Sequence, residues 1–270
     1  MSRTVIFSNQ KGGVGKTTLT RELGIYVASR GHRVLLVDCD PQGNLTKSLI
    51  DGSDGGLYDA LTSESSPPLK LDEQLSLYAG DFRLALLEKS LIGEIDAYSR
   101  LRALLASPDT GRFDYIFLDT PPSLGVLTVN ALTAATDLVI PMNPSLYSMQ
   151  GTNDLLRTVS KVRENLNPKL SLLGVIINAY DSIPTITRQI RTEIEGAFGG
   201  KVFATVLSKS IKLEEAIASR RGVIHHTNLG TSRAAAEVKA LGDELLSRLA
   251  TGVSPTAAAP DAPGEASHDD

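Results

Sequence analysis

The chain has one cysteine, Cys39, among its 270 residues. That excludes a disulfide within the chain and a cysteine-rich metal or iron–sulfur centre, and it suits a reducing cytosol. No apolar run approaches the ~20 residues that a membrane span needs. Lys11 and the glycines beside it come too early for a signal-peptide core. Positive charge is not in large excess either. The formal net charge is −4, and Asp261, Glu265, Asp269 and Asp270 account for it, since residues 251–270 hold no Lys or Arg. Between residues 183 and 250, ten Lys and Arg face seven Asp and Glu, too mild an excess to indicate nucleic acid alone. Residues 251–270 are mostly Ala, Pro, Gly, Ser and acid, which cannot bury enough to fold and read as a disordered tail. What remains, residues 1–250, reads as one domain. An apolar fraction of 41% and a charged fraction of 21% are ordinary for a globular protein.

The stretch that organises the rest is Ser8-Asn9-Gln10-Lys11-Gly12-Gly13-Val14-Gly15-Lys16-Thr17-Thr18. It follows the apolar run Val5-Ile6-Phe7 and precedes a helical pattern over Thr18–Arg30. Glycines let successive backbone N–H groups turn inward around phosphate oxygens, and the helix N-terminus favours an anion. In such a loop Lys16 reaches the β- and γ-phosphates and the Thr17 hydroxyl binds Mg²⁺. The usual loop starts with glycine four residues before Gly-Lys-Thr; here that place is Lys11. A second ammonium beside Lys16 needs an anion, which phosphates of this subunit or of a second one could supply.

Downstream, short apolar runs alternate with helical patterns. Arg33–Val37 reads as a buried parallel strand that ends in Asp38-Cys39-Asp40-Pro41-Gln42-Gly43-Asn44. Carboxylates at a strand's carboxyl end, next to a phosphate loop, point at the nucleotide and its metal. Residues 113–119 repeat that layout with Asp119 as the terminal acid, the Walker B arrangement. The stiff turn Thr120-Pro121-Pro122-Ser123-Leu124-Gly125 follows it. Further strands are expected at 75–80, 137–141, 172–178 and 202–206. Helices are expected at 57–61, 148–165, 185–198, 211–218 and 232–249, and one capped by Asp81 is expected to run to about Ala106. On that last helix Leu84, Leu87, Leu91, Ile95, Leu101, Leu104 and Leu105 form the inner face. Asn178, at a strand end, either pairs with a base edge through its amide or starts a turn. The pattern is βα alternation: one doubly wound, mostly parallel sheet flanked by helices.

Three segments carry a family resemblance: Lys11-Gly-Gly-Val-Gly-Lys16-Thr-Thr, Val37-Asp-Cys-Asp-Pro-Gln-Gly-Asn44 and Leu118-Asp-Thr-Pro-Pro-Ser123. Their order and context resemble the ParA/Soj family of deviant Walker A partition ATPases. The stretches 141–151 and 234–239 do so too, and the likeness spans about residues 3–249. The resemblance implies ATP and Mg²⁺ as cofactors, with Gly12, Gly13, Val14, Gly15 and Thr18 completing the phosphate cradle. It implies a sandwich dimer in which Lys11 reaches the partner's phosphates, and Asp38 and Asp119 in the metal's outer shell. Asp40 would position or activate the attacking water. It further implies nonspecific binding to duplex DNA, hydrolysis stimulated by a ParB-type partner, and a cytoplasmic, nucleoid-associated location. The DNA-contact candidates on the mildly basic segment are Arg188, Arg191, Lys201, Lys209, Lys212, Arg220, Arg221 and Arg233, of which Arg220, Arg221 and Arg233 are the best placed. The alternatives are a MinD-like ATPase on a membrane surface, which the acidic C-terminus disfavours, and an orphan relative that positions a protein cargo.

Overall fold

The computed structural model describes residues 2–52, 56–62, 66–145, 148–180, 184–226 and 228–251; the side chains of 148–151, 179, 180 and 184–188 stand outside that description. The first half of the chain forms β1 (Arg3–Phe7), α1 (Lys16–Ser29), β2 (Val34–Asp38), α2 (Asn44–Lys47), α3 (Leu57–Thr62), β3 (Leu69–Lys70), β4 (Leu75–Tyr78), α4 (Arg83–Ser90) and α5 (Arg100–Leu105). The second half forms β5 (Tyr115–Asp119), α6 (Val126–Ala134), β6 (Asp137–Met142), α7 (Ser148–Asn165), β7 (Ser171–Tyr180), α8 (Pro184–Phe198), β8 (Leu207–Ser208), α9 (Ile211–Ala218) and α10 (Arg233–Thr251).

The strands make one sheet in the order β3-β4-β2-β5-β1-β6-β7-β8, parallel except where β3 meets β4. Both faces are covered, which is why the strands read as unbroken apolar runs. Alternate residues feed two cores. Ile6, Leu35, Val37, Ile116 and Leu118 pack against the side that carries α4 to α8. Val5, Phe7, Leu36 and Phe117 pack against the side that carries α1, α9 and α10. The expected doubly wound α/β fold is the one found. Its strand order reverses direction at β1, and a ligand crevice forms outside the carboxyl ends of such strands.

Several sequence expectations change in detail. The helix expected from Asp81 to Ala106 is two helices, α4 and α5, with turns between them. Gly93 sits at φ 90°, a left-handed value that ends a helix, so the leucine stripe breaks there and Ile95 is fully exposed. The strand expected at 202–206 is an isolated bridge from Val202 to Val175, followed by the two-residue β8. The amides of Ala204 and Thr205 donate to the Glu244 carboxylate of α10 (2.9 and 3.0 Å) and leave the ladder. The turn alternative for Asn178 is not seen, since β7 continues through Tyr180. The tail beyond Thr251 lies outside the described residues.

Candidate nucleotide site

β1 delivers the chain to the crevice, and the loop between β1 and α1 borders a cavity of about 550 Å³. Gly12, Gly13, Gly15, Lys16, Thr17 and Thr18 line one side. Gly13 and Gly15 hold φ of 71° and 87°, which turns the loop's backbone inward at glycine's low conformational cost. A Cβ at Gly15 would lie 1.9 Å from Asn178 Nδ2. Asn178, expected on this strand as a base-edge partner, instead reaches the phosphate loop from β7, where its amide donates to Val14 O (2.8 Å), a bond that shapes the loop.

Lys16 is 7% exposed, and its Nζ donates to the carbonyls of Asn9 (3.1 Å) and Lys11 (3.3 Å). Burial pulls its ammonium pKa down, while Asp119 and Asp40 oppose that shift. An ammonium so held is preset for a phosphate arriving in the cavity. Lys11 is placed differently. It is absent from the cavity lining, and its Nζ donates to Ser145 Oγ (2.5 Å) in the loop after β6. That loop is tied to the phosphate loop once more, by Asn143 Nδ2 on Gly13 O (3.0 Å), and the end of β6 is tied to it by Asn9 Nδ2 on Pro141 O (2.8 Å).

Three carboxylates converge opposite Lys16. Thr17 Oγ1 donates to Asp119 Oδ2 (2.7 Å), whereas Asp119 Oδ1 is buried with no partner among the described residues. An unpartnered buried carboxylate oxygen beside a loop hydroxyl suits a hydrated divalent cation, which uses carboxylates, hydroxyls and waters. Asp38 is busier. Its Oδ1 accepts Asp40 N (3.2 Å), and its Oδ2 accepts both Thr46 N (2.8 Å) and Thr46 Oγ1 (2.7 Å). It therefore anchors α2 to β2 beside the site. Asp40 lines the cavity and accepts Gln42 N at 2.8 Å. Cys39, between them, is buried, and burial with the neighbouring carboxylates pushes its thiol up, so it packs as a neutral side chain. Pro122, from the turn after β5, closes another side of the cavity.

The basic candidates are not gathered in this way. Arg191 pairs with Glu195, Arg233 with Glu237 and Ser208 Oγ, and Arg220 with Asp51. Arg221 is exposed, with no side-chain partner among the described residues. The Arg188 side chain lies outside the described residues. Sequence reasoning missed Asn9, Asn143, Ser145 and Thr46, which hold the loops around the cavity. Thr46 carried a faint signal, two residues past the Asp-x-Asp-Pro-Gln-Gly-Asn segment.

Residues 2–172 match a family model described as an AAA domain. The chain is 37% identical to the chromosome-partitioning ATPase Soj of Thermus thermophilus, over 92% of this chain and 96% of that protein. It is 37% identical to the sporulation initiation inhibitor protein Soj of Bacillus subtilis, over 83% of this chain and 91% of that one. Among solved structures, cobyrinic acid a,c-diamide synthase of Mycobacterium smegmatis, with bound ATP analogue and magnesium, superposes with a TM-score of 0.82. That pair is 32% identical and covers 93% and 97% of the two chains. With the lysine-bearing phosphate loop, the paired strand-end acids and these likenesses together, the chain belongs to the AAA domain family and, within it, to the ParA/Soj family of P-loop ATPases.

Proposed function

We propose that this chain is an ATP-driven partition ATPase that cycles between a free form and a DNA-bound dimer. The observation that carries the chemistry is the cavity itself, lined by Lys16 and Thr17 from the loop side and by Asp40, with Asp119 buried behind the Thr17 hydroxyl that donates to it. The loop N–H groups and Lys16 bind the nucleotide's phosphates, and Lys16 exchanges its two carbonyl contacts for phosphate oxygens. Thr17 and the open oxygen of Asp119, with Asp38 behind them, would hold Mg²⁺, which would supply neutralising charge for the transferred phosphoryl group. Asp40 orients the attacking water, and positioning of this kind dominates phosphoryl transfer. Pro122 and its turn sit where departure of the terminal phosphate would be felt.

Lys11 stands outside its own cavity, which supports a role across a dimer, on the phosphates of the second subunit. The partition role is carried over from the Soj relatives. In it the dimer holds nonspecific duplex DNA through the basic segment, a ParB-type partner stimulates hydrolysis, and the protein resides in the cytoplasm on the nucleoid. No helix among the described residues is long and apolar enough to cross a membrane. Lipid flotation with ATP separates this reading from a MinD-like one.

The test is retention of nonspecific duplex DNA with ATP–Mg²⁺, ADP–Mg²⁺ or no nucleotide, alongside sedimentation. ATP should produce both the dimer and the retention, and retention should fall steeply with salt as counterion release requires. Arg220→Glu with Arg221→Glu and Arg233→Glu should remove retention and leave dimerisation intact. A chain that dimerises with ATP and ignores DNA would turn the reading toward a protein cargo.

A further inference from the structure

Two segments far apart in sequence, 44–51 and 216–223, are fastened together at the flank of the nucleotide cavity. Arg21, one helical turn past Thr17 on α1, is 0% exposed, yet it lines that cavity. Its Nε and Nη2 donate to Ser48 O (3.3 Å each) and its Nη2 to Ala216 O (3.5 Å). Its ion partner, Glu22, is equally buried and accepts Val223 N on Oε2 at 2.9 Å. Nearer the surface, Arg220 makes a two-pronged ion pair with Asp51 and reaches Lys47 O with Nε at 3.5 Å. Arg220 is also the one non-glycine among the described residues with a positive φ, 53°. A left-handed backbone is strained for such a residue.

Segment 44–51 starts where the Asp40 turn ends, and Asn44, Lys47 and Ser48 line the same cavity as Lys16 and Asp40. Ile217 lines it from the other segment. A guanidinium fork that is matched to a carboxylate cannot present the same two donors to a phosphate. The outer pair is weak enough to open, because the Asp51 side chain is 82% exposed. The inner pair is buried, and breaking one partner of such a pair is costly, so it keeps both segments on α1.

We propose that Asp51 is a built-in counter-ion that withholds Arg220 from polyanions, and that Arg21 and Glu22 are the buried half of the same clasp, joining the Asp40 turn to the Arg220–Arg221 loop. This rests on the reading that nucleotide controls DNA binding. Movement of the Asp51 end of segment 44–51 with the nucleotide releases Arg220, while the inner pair keeps Ser48 and the 216–223 loop on α1.

The experiment measures duplex DNA retention by the full chain carrying Asp51→Ala, with thermal melting to show that it is folded. Retention without nucleotide should rise roughly two- to fivefold, the worth of one exposed ion pair, and retention with ATP should change little. In an Arg220→Ala background the same substitution should do nothing. An equal rise there means that only a repelling charge was removed, and the clasp is overturned; so does an unchanged ratio of retention with and without ATP. A wild-type chain that retains no DNA at all defeats the functional reading instead. The clasp is then judged by amide exchange of 44–51 and 216–223 with and without ATP–Mg²⁺. Both segments should change protection together; a change in 44–51 alone, or in neither, overturns it.

Discussion

Asp38 and Asp119 are register partners on the neighbouring parallel strands β2 and β5, both 0% exposed. Two carboxyl groups held side by side away from water cannot both ionise cheaply. Burial is the larger cause, and it pushes Asp38 up to about 6 and Asp119 well above the usual carboxylate range.

A carboxyl whose folded pKa is raised binds a proton more readily folded than unfolded, so its stabilising effect is present at low pH and is lost as pH rises. For Asp38 that loss falls between the unfolded value near 4 and about 6. Asp119→Asn should remove the repulsion. The ligand-free variant should be more stable relative to the wild type at pH 7 than at pH 4, because the wild-type carboxyl loses its stabilising proton as pH rises. Urea unfolding at several pH values measures the difference, and Mg²⁺ with nucleotide should close it. The same variant should hydrolyse ATP poorly.

Lys16→Ala and Lys11→Ala should separate. Loss of Lys16 removes the buried ammonium facing the cavity, and a charge-assisted bond of that kind is worth ~1.5–3 kcal/mol, so nucleotide affinity should drop by roughly tenfold to a hundredfold. Lys11→Ala should keep most of that affinity and lose the ATP-dependent dimer. Equilibrium binding and sedimentation distinguish the two; a normal dimer without Lys11 removes the cross-subunit role.

Asp40→Ala should still bind ATP and dimerise while hydrolysing it more slowly, by about 10²–10⁴-fold if Asp40 handles the water's proton. Slow hydrolysis should trap the DNA-bound form. Steady-state phosphate release checks the first point, and DNA retention after a chase of ADP checks the second. Unimpaired hydrolysis takes Asp40 out of the mechanism.

Gly15→Ala should be worse than a small surface change. Its φ of 87° and the Asn178 amide 1.9 Å from the added carbon leave no room for a methyl group. Forced backbone of this kind costs ~1–3 kcal/mol. The melting temperature should fall, and nucleotide binding should fall with it because the Asn178–Val14 bond shapes the loop.

The site was legible in sequence where chemistry and chain order coincide. Glycines, Lys16 and Thr17 follow β1 directly, and Asp38 and Asp119 end continuous apolar runs that only a sheet buried on both faces would contain. What depended on distant partners was not legible. Asp51 stands 169 residues before Arg220, so the arginine's commitment left no local mark. Ala204 and Thr205 look like strand, but their amides belong to Glu244 on the last helix. α6 escaped notice because residues 126–134 are apolar on most sides and show no stripe.

Each border of the sheet is a strand of only two residues, β3 on one flank and β8 on the other. Long unpaired borders are the templates on which chains add strand to strand, and none is offered among the described residues. If many copies assemble into a filament, continuous cross-chain hydrogen bonding is closed to them as a mode of growth. The joints must form between loops and helices, where contacts can be made and undone within a single turnover.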